Sequence, residues 1–238
     1  NLELKVTPFK ILKNKSLTAK ERLVLSMISF TEIYDSTELF GSHFWEKNET
    51  LLLMYYRSDS NLSKLDQEIC FVELFTPPAE DLEIIESDYR TIIEYIRAGK
   101  AHELSESLTN YLGACTKGQN AEKAWQDQSI YNPGVLAKRR AFSYKSSYMN
   151  YVLQNLINKR KNDESILKNE EELKDQTFEE FILQKIHDYL GMSEEELCTN
   201  FDIPFTKNKA QRTTIVYRIL GLHSDGAAEF KKANITVR

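Results

Sequence analysis

Apolar and polar residues alternate from the first positions of the chain. Leu2, Leu4 and Val6 are separated by Glu3 and Lys5, a period of two that predicts a strand. On that pattern Leu2, Leu4 and Val6 enter a core, while Glu3 and Lys5 project together from the other face. A polar turn follows at Lys13-Asn14-Lys15, and the branched run from Arg22 to Ile28 predicts a second strand, paired with the first as a hairpin. Residues 29 to 49 read as irregular. Thr50 to Arg57 is a continuous apolar run of strand length, suited to the buried middle of a sheet, and Glu68 to Phe75 is a fourth strand, stopped by Pro77-Pro78.

The pattern then changes period. Leu82, Ile85, Tyr89, Ile92, Ile93 and Ile96 recur at threes and fours, with Asp81 and Glu83 near the first turn and Gly99 past the end. This predicts a long helix packed on the sheet. Residues 100 to 118 read as a short helical turn and a strand that runs into a small-residue loop, Gly113 to Gly118, and residues 119 to 136 read as a loop containing Pro133-Gly134. Ser146 to Lys159 predicts an amphipathic helix with Tyr148, Val152 and Leu156 on one face.

Residues 160 to 176 are highly charged and lack Gly and Pro, which suggests a linker over 161–176. Beyond it, Thr177 to Leu190, Ser193 to Asn200 and Lys207 to Leu220 read as helices. Thr177 and Ser193 are placed as N-caps, with Glu180 and Glu196 completing capping boxes. The fold class expected is α/β (α+β): a mixed central β-sheet flanked by helices over 1–160, then a small C-terminal helical satellite over 177–238. That satellite reads either as a helix-turn-helix unit presenting Lys207, Lys209, Arg212 and Arg218, or as a spacer, since its first two helices are strongly acidic. Ala233 to Arg238 ends the chain as a strand without an obvious partner.

Composition narrows the function classes. At 238 residues and 41% hydrophobic, the chain can bury a substantial core. With 31 Lys+Arg against 36 Asp+Glu the formal net charge is -5, so any contact with nucleic acid has to be a local patch. The densest basic stretch is Lys138-Arg139-Arg140-Ala141-Phe142-Ser143-Tyr144-Lys145, where cations interleave with aromatics. Cys70, Cys115 and Cys198 are scattered, as are the four histidines, so zinc spacing is absent and a reduced, cytoplasmic protein is expected. No apolar run approaches the ~18 residues of a membrane span.

The chemistry begins with Glu3-x-Lys5. A carboxylate and an ammonium on one strand end suit metal-dependent phosphodiester hydrolysis, in which the carboxylate holds a hard cation and the lysine orients the attacking water and steadies developing charge. An alternating Glu and Lys on a half-exposed strand is equally the ordinary form of a solvated face.

Six segments in order bear on that choice: ELKVTPF, KERLVLSM, SHFWEKNETLLLMYY, DLEIIESDYRTIIEYIRAGK, NYLGACTKGQNA and RRAFSYKSSYMNYVL. They resemble the MutH-like endonucleases, and most of all the GATC-cutting type II restriction enzymes of that group. The resemblance implies a restriction-endonuclease-like cleft fold and cleavage of double-stranded DNA at GATC with Mg2+. It implies catalytic roles for Glu3, Lys5 and Lys47, with Glu3 also the metal ligand, and DNA contacts from Lys117, Arg139, Arg140, Ser143, Tyr144 and Lys145. Cys115 stands where the mismatch-repair member has a guanine-reading arginine. Ser143 stands where methyl-sensing relatives have a tyrosine.

An acidic residue that these enzymes place several positions ahead of the ELK segment has no counterpart here, since only Asn1 and Leu2 precede it. This suggests a fragment of a longer polypeptide, with a second MutH-like domain and dimerisation on DNA as further expectations. Two other readings stand beside this one: a MutH-like module that binds DNA and regulates a second catalytic copy, and a non-enzymatic interaction protein.

Overall fold

In a computed structural model of the chain, which describes residues 2–118, 124–157, 164–169, 172–206, 208–223, 227–233 and 235, the architecture is α+β with a mixed sheet. The first strand, β1 (Glu3–Ile11), lies between β2 (Leu17–Ala19), antiparallel to its far end, and β4 (Leu51–Arg57), parallel to it from Glu3 to Phe9; β5 (Ile69–Phe75) follows antiparallel on the far side of β4.

The two faces of β1 are the reverse of those expected. Leu2, Leu4 and Val6 are 58%, 55% and 54% exposed. Glu3, Lys5 and Thr7 instead pair in register with Leu51, Leu53 and Tyr55, which are fully buried, and share their inward side. Alternation establishes that a strand has two faces; it does not say which one is covered. Here the covered face is the polar one.

The expected hairpin is also re-partnered. β2, three residues long and flanked by charge, carried no run that would mark it as a strand, yet it pairs with β1. β3 (Leu23–Met27) instead enters a second sheet, antiparallel to β9 (Arg140–Tyr144), which pairs on its other side with β6 (Leu112–Thr116). The 29–49 stretch contains a short helix, α1 (His43–Asn48), and the supposed loop before residue 136 contains a hairpin of β7 (Trp125–Gln128) and β8 (Asn132–Lys138).

The long helix α2 (Ala79–Arg97) stands where its periodicity placed it and buries Ile84, Ile85, Tyr89, Ile92, Ile93 and Ile96. Tyr89 stacks on Phe44 and on Phe142, which meet each other at a tilt, joining α1, α2 and β9. Gly99 closes the helix with φ +73°, and an added Cβ would come within 2.8 Å of the Tyr131 carbonyl oxygen, so both conformation and space require glycine.

After α3 (Ser146–Tyr151) the chain continues as a wider π-type turn, Val152–Ile157, with Tyr148 and Val152 buried as expected. The charged stretch places Ile166, Leu167 and Leu173 in the main core; its charge density masks these apolar residues in a window average. α4 (Phe178–His187), α5 (Glu194–Asn200) and α6 (Lys209–Ile219) follow, and both capping boxes form. Leu197, Cys198 and Ile215 make a small separate cluster, whereas Phe178, Phe181, Leu220, Leu222 and Phe230 belong to the main core. The final helix, α7 (Ala228–Ala233), occupies the start of the expected last strand, of which Asn234 and residues 236–238 lie outside the described residues.

Candidate active site

The inward row of β1 brings the expected acid and base together. Lys5 Nζ donates to Glu3 Oε1 at 3.1 Å and to the backbone carbonyl of Leu25 at 2.7 Å. Leu25 lies in β3 where its register with β9 shifts, between Val24 and Met27. A bulge there leaves a carbonyl outside the ladder, free to accept from a side chain. Lys47 adds a third charge, its Nζ 4.0 Å from the same Glu3 oxygen. It is carried in the last turn of α1, which is started by the Ser42 side chain accepting from the Trp45 N–H and is fixed from beneath by Phe44 and Trp45. The Lys5 and Glu3 side chains are 14% and 30% exposed, shielded yet open to water.

Lys5 opens onto a cleft of about 460 Å³ that is also lined by Thr7, Glu21, Arg22, Cys115 and Lys117. The walls come from both sheets: β1 on one side, and β3 with the end of β6 on the other. Lys117 is exposed beyond β6, and its N–H donates to the Arg139 carbonyl, which brings two of the expected DNA contacts to one rim. Arg139 is likewise exposed, its Nε 3.3 Å from the Trp125 carbonyl. Three cations, Lys5, Arg22 and Lys117, line one concavity together with Glu21, and Arg22 is ion-paired with Glu106. Thr7, Glu21 and Arg22 were missed as site residues. Glu21 and Arg22 stand in the KERLVL segment, where only the branched run from Arg22 to Ile28 was read, as a strand.

The remaining expected DNA contacts sit inside the protein. Arg140 is 8% exposed and donates through Nη1 to the Ala114 carbonyl at 2.7 Å, and burial lowers its pKa. Ser143 is buried between β3 and β6, and Tyr144 is fully buried between Phe75 and Tyr148. Lys145 donates to the Thr109 carbonyl, half-buried, with its pKa lowered by burial. These four side chains, expected at the groove, are turned into the protein in this structure. β9 is the central strand of its sheet, paired on both sides, so its basic residues are not an edge that a ligand can reach.

Other ionisable groups hold the frame. Asp81 at the start of α2 ion-pairs with Lys232 of α7 and accepts from the Tyr148 hydroxyl at 2.9 Å. Lys232 also lies over the rings of Tyr111 and Tyr151. Asp88 accepts backbone N–H bonds from Asn110, Tyr111 and Leu112, and its burial raises its pKa to about 7 against those bonds and the nearby Lys145.

With this geometry in view, two comparisons with known proteins fix the lineage. The family described as DNA mismatch repair enzyme MutH matches residues 1–88, which hold Glu3, Lys5, Arg22 and Lys47. The whole chain is 37% identical, over 256 aligned positions, to the type II restriction enzyme Sau3AI of Staphylococcus aureus, and it spans 50% of that enzyme's length. The chain belongs to the MutH-like family.

Proposed function

We propose that this chain is the catalytic module of a type II restriction endonuclease that hydrolyses phosphodiester bonds of double-stranded DNA at GATC with Mg2+. The observation that carries the reading is the Glu3–Lys5 pair, turned inward and opening onto a cleft with Arg22 and Lys117. A solvated strand face would leave those side chains outward, and here the leucines are outward instead.

Among the described residues, no group of three or more His, Cys, Asp or Glu side chains forms a cation cage. Glu3 nevertheless fits a magnesium site of the kind that uses one or two carboxylates together with waters and substrate phosphate oxygens. Both lysine contacts fall on Oε1, which leaves Oε2 for a cation. When bound, Mg2+ supplies charge neutralisation at the phosphate and a more acidic water.

The protein's own groups do the rest. Lys5, fixed by the Leu25 carbonyl, holds its ammonium beside the reacting phosphate and stabilises charge that builds on the oxygens during attack. Lys47 contributes a second positive charge at the same carboxylate. Arg22 and Lys117 hold the flanking backbone, where contacts position the duplex without reading it. Cys115 cannot make a bidentate guanine contact, so base reading falls to Arg139 at the rim.

The same proposal places the module in the cytoplasm, next to a second MutH-like domain in a longer polypeptide, and dimerising on DNA. Incubating the full-length protein with plasmid and Mg2+ and sequencing the ends tests it. Ends confined to GATC are expected, and ends elsewhere, or uncut plasmid, overturn the assignment.

A further inference from the structure

Thr7 continues the row begun by Glu3 and Lys5. The three residues occupy alternate positions on the inward face of β1, so each step along the row is about 6.6 Å. Thr7 is 2% exposed, it lines the same cleft as Lys5, Arg22 and Lys117, and its hydroxyl has no hydrogen-bond partner among the described residues. The strand beside it does not provide one. At the register position directly across, Tyr55 is fully buried and its own hydroxyl is likewise without a partner.

A buried hydroxyl that donates to nothing is destabilising relative to a methyl group in the same place. Valine would fill this position with equal strand propensity and without that cost. A local choice that conflicts with folding, set inside a cleft, is where a ligand is expected to complete the bonding. The row itself restricts the ligand. A carboxylate, an ammonium and a hydroxyl spaced along one strand fit an extended polyanion, because a single phosphate cannot span Lys5 and Thr7 together.

Resting on the DNA-cleaving reading of the cleft, we propose that Thr7 is a further substrate-binding residue, its hydroxyl donating to the phosphate backbone of a DNA strand that runs along β1, next to the phosphate facing Lys5. The path of that strand follows: from Glu3 toward Thr7, parallel to β4.

The test uses the full-length protein with Thr7→Val and Thr7→Ser substitutions, a GATC duplex as the probe, and duplexes in which one phosphate at a time is replaced by an uncharged methylphosphonate. Thr7→Val is expected to bind about 10- to 100-fold more weakly, as for loss of one hydrogen bond to a charged group, while its melting temperature stays level or rises. Thr7→Ser should restore affinity. One methylphosphonate position should weaken the unsubstituted protein and leave Thr7→Val unchanged. A valine variant that binds and cuts like the parent overturns the proposal, as does a loss that tracks a lower melting temperature and is not rescued by serine. If the parent protein has no affinity for the duplex, both this proposal and the nuclease reading fail; if only the valine result is null, the nuclease reading stands.

Discussion

Two lysine–carboxylate pairs in this chain have opposite settings. Lys5 and Glu3 meet at 3.1 Å with 14% and 30% of their side-chain surface exposed, while Lys232 and Asp81 meet at 3% and 0%. The first pair shares its carboxylate with Lys47, leans on a main-chain carbonyl and borders a cleft. The second is enclosed by Tyr111, Tyr148 and Tyr151 and bolts α7 to α2. Burial raises the Asp81 pKa, opposed by its lysine and by the tyrosine hydroxyl. On the proposed function the same two functional groups serve chemistry where water and a polyanion can enter, and architecture where they cannot.

The largest effect is expected at the sealed pair. Lys232→Ala leaves the Asp81 charge buried without a partner and should destabilise the chain by about 3–5 kcal/mol. Chemical denaturation measures this. The combined Asp81→Leu, Lys232→Met variant should recover most of the loss, since apolar residues of similar volume often replace a buried pair at little cost. A double variant as unstable as the single one would show that the charges themselves are required.

A second buried carboxylate sharpens the contrast through pH. Asp88 has a folded pKa raised to about 7 from an ordinary value of 3.8, so its neutral form is favoured by the fold. The stability this contributes is complete below the unfolded pKa and is lost as pH rises through the folded one. Melting temperature measured against Asp88→Asn should therefore fall between pH 4 and pH 7, by on the order of a few degrees, and level off above. A difference that is flat across that window would mean that the three backbone N–H bonds outweigh burial.

At the rim of the cleft the effects become small. Lys117→Ala should weaken duplex binding about equally for GATC and unrelated sequences, and reduce the salt dependence of binding by about one phosphate contact. Titrations at several salt concentrations read both. A loss confined to GATC would instead make Lys117 a base reader.

Legibility in the sequence followed which physical signal each element carries. α2 was readable because nineteen residues repeat one apolar period between clear end signals. The capping boxes at Thr177 and Ser193 were readable because they are local chemistry. The existence of β1 was readable but its orientation was not, since Leu4 and Val6 are as apolar as any core residue and only the tertiary fold exposes them. The 138–145 cluster divides for a related reason: Lys138 and Arg139 are exposed, while Arg140 and Tyr144 are buried. Charge density marks residues that could meet DNA, yet Arg140 and Lys145 spend their donors on the Ala114 and Thr109 carbonyls. Arg22 joined the site through the cleft alone, whereas the period of two already set Thr7 on the face of Glu3 and Lys5.

The central claim is that the open pair performs chemistry and the sealed pair does not. The most direct measurement is the single-turnover cleavage rate of a GATC duplex by the full-length Lys5→Ala variant, with duplex affinity and melting temperature read on the same sample. A rate ~10² to 10³ lower is expected, as for removal of one electrostatic group aimed at the transition state, with affinity within about tenfold and the melting temperature near that of the parent. A rate within tenfold of the parent, or a loss that follows unfolding, would contradict the account.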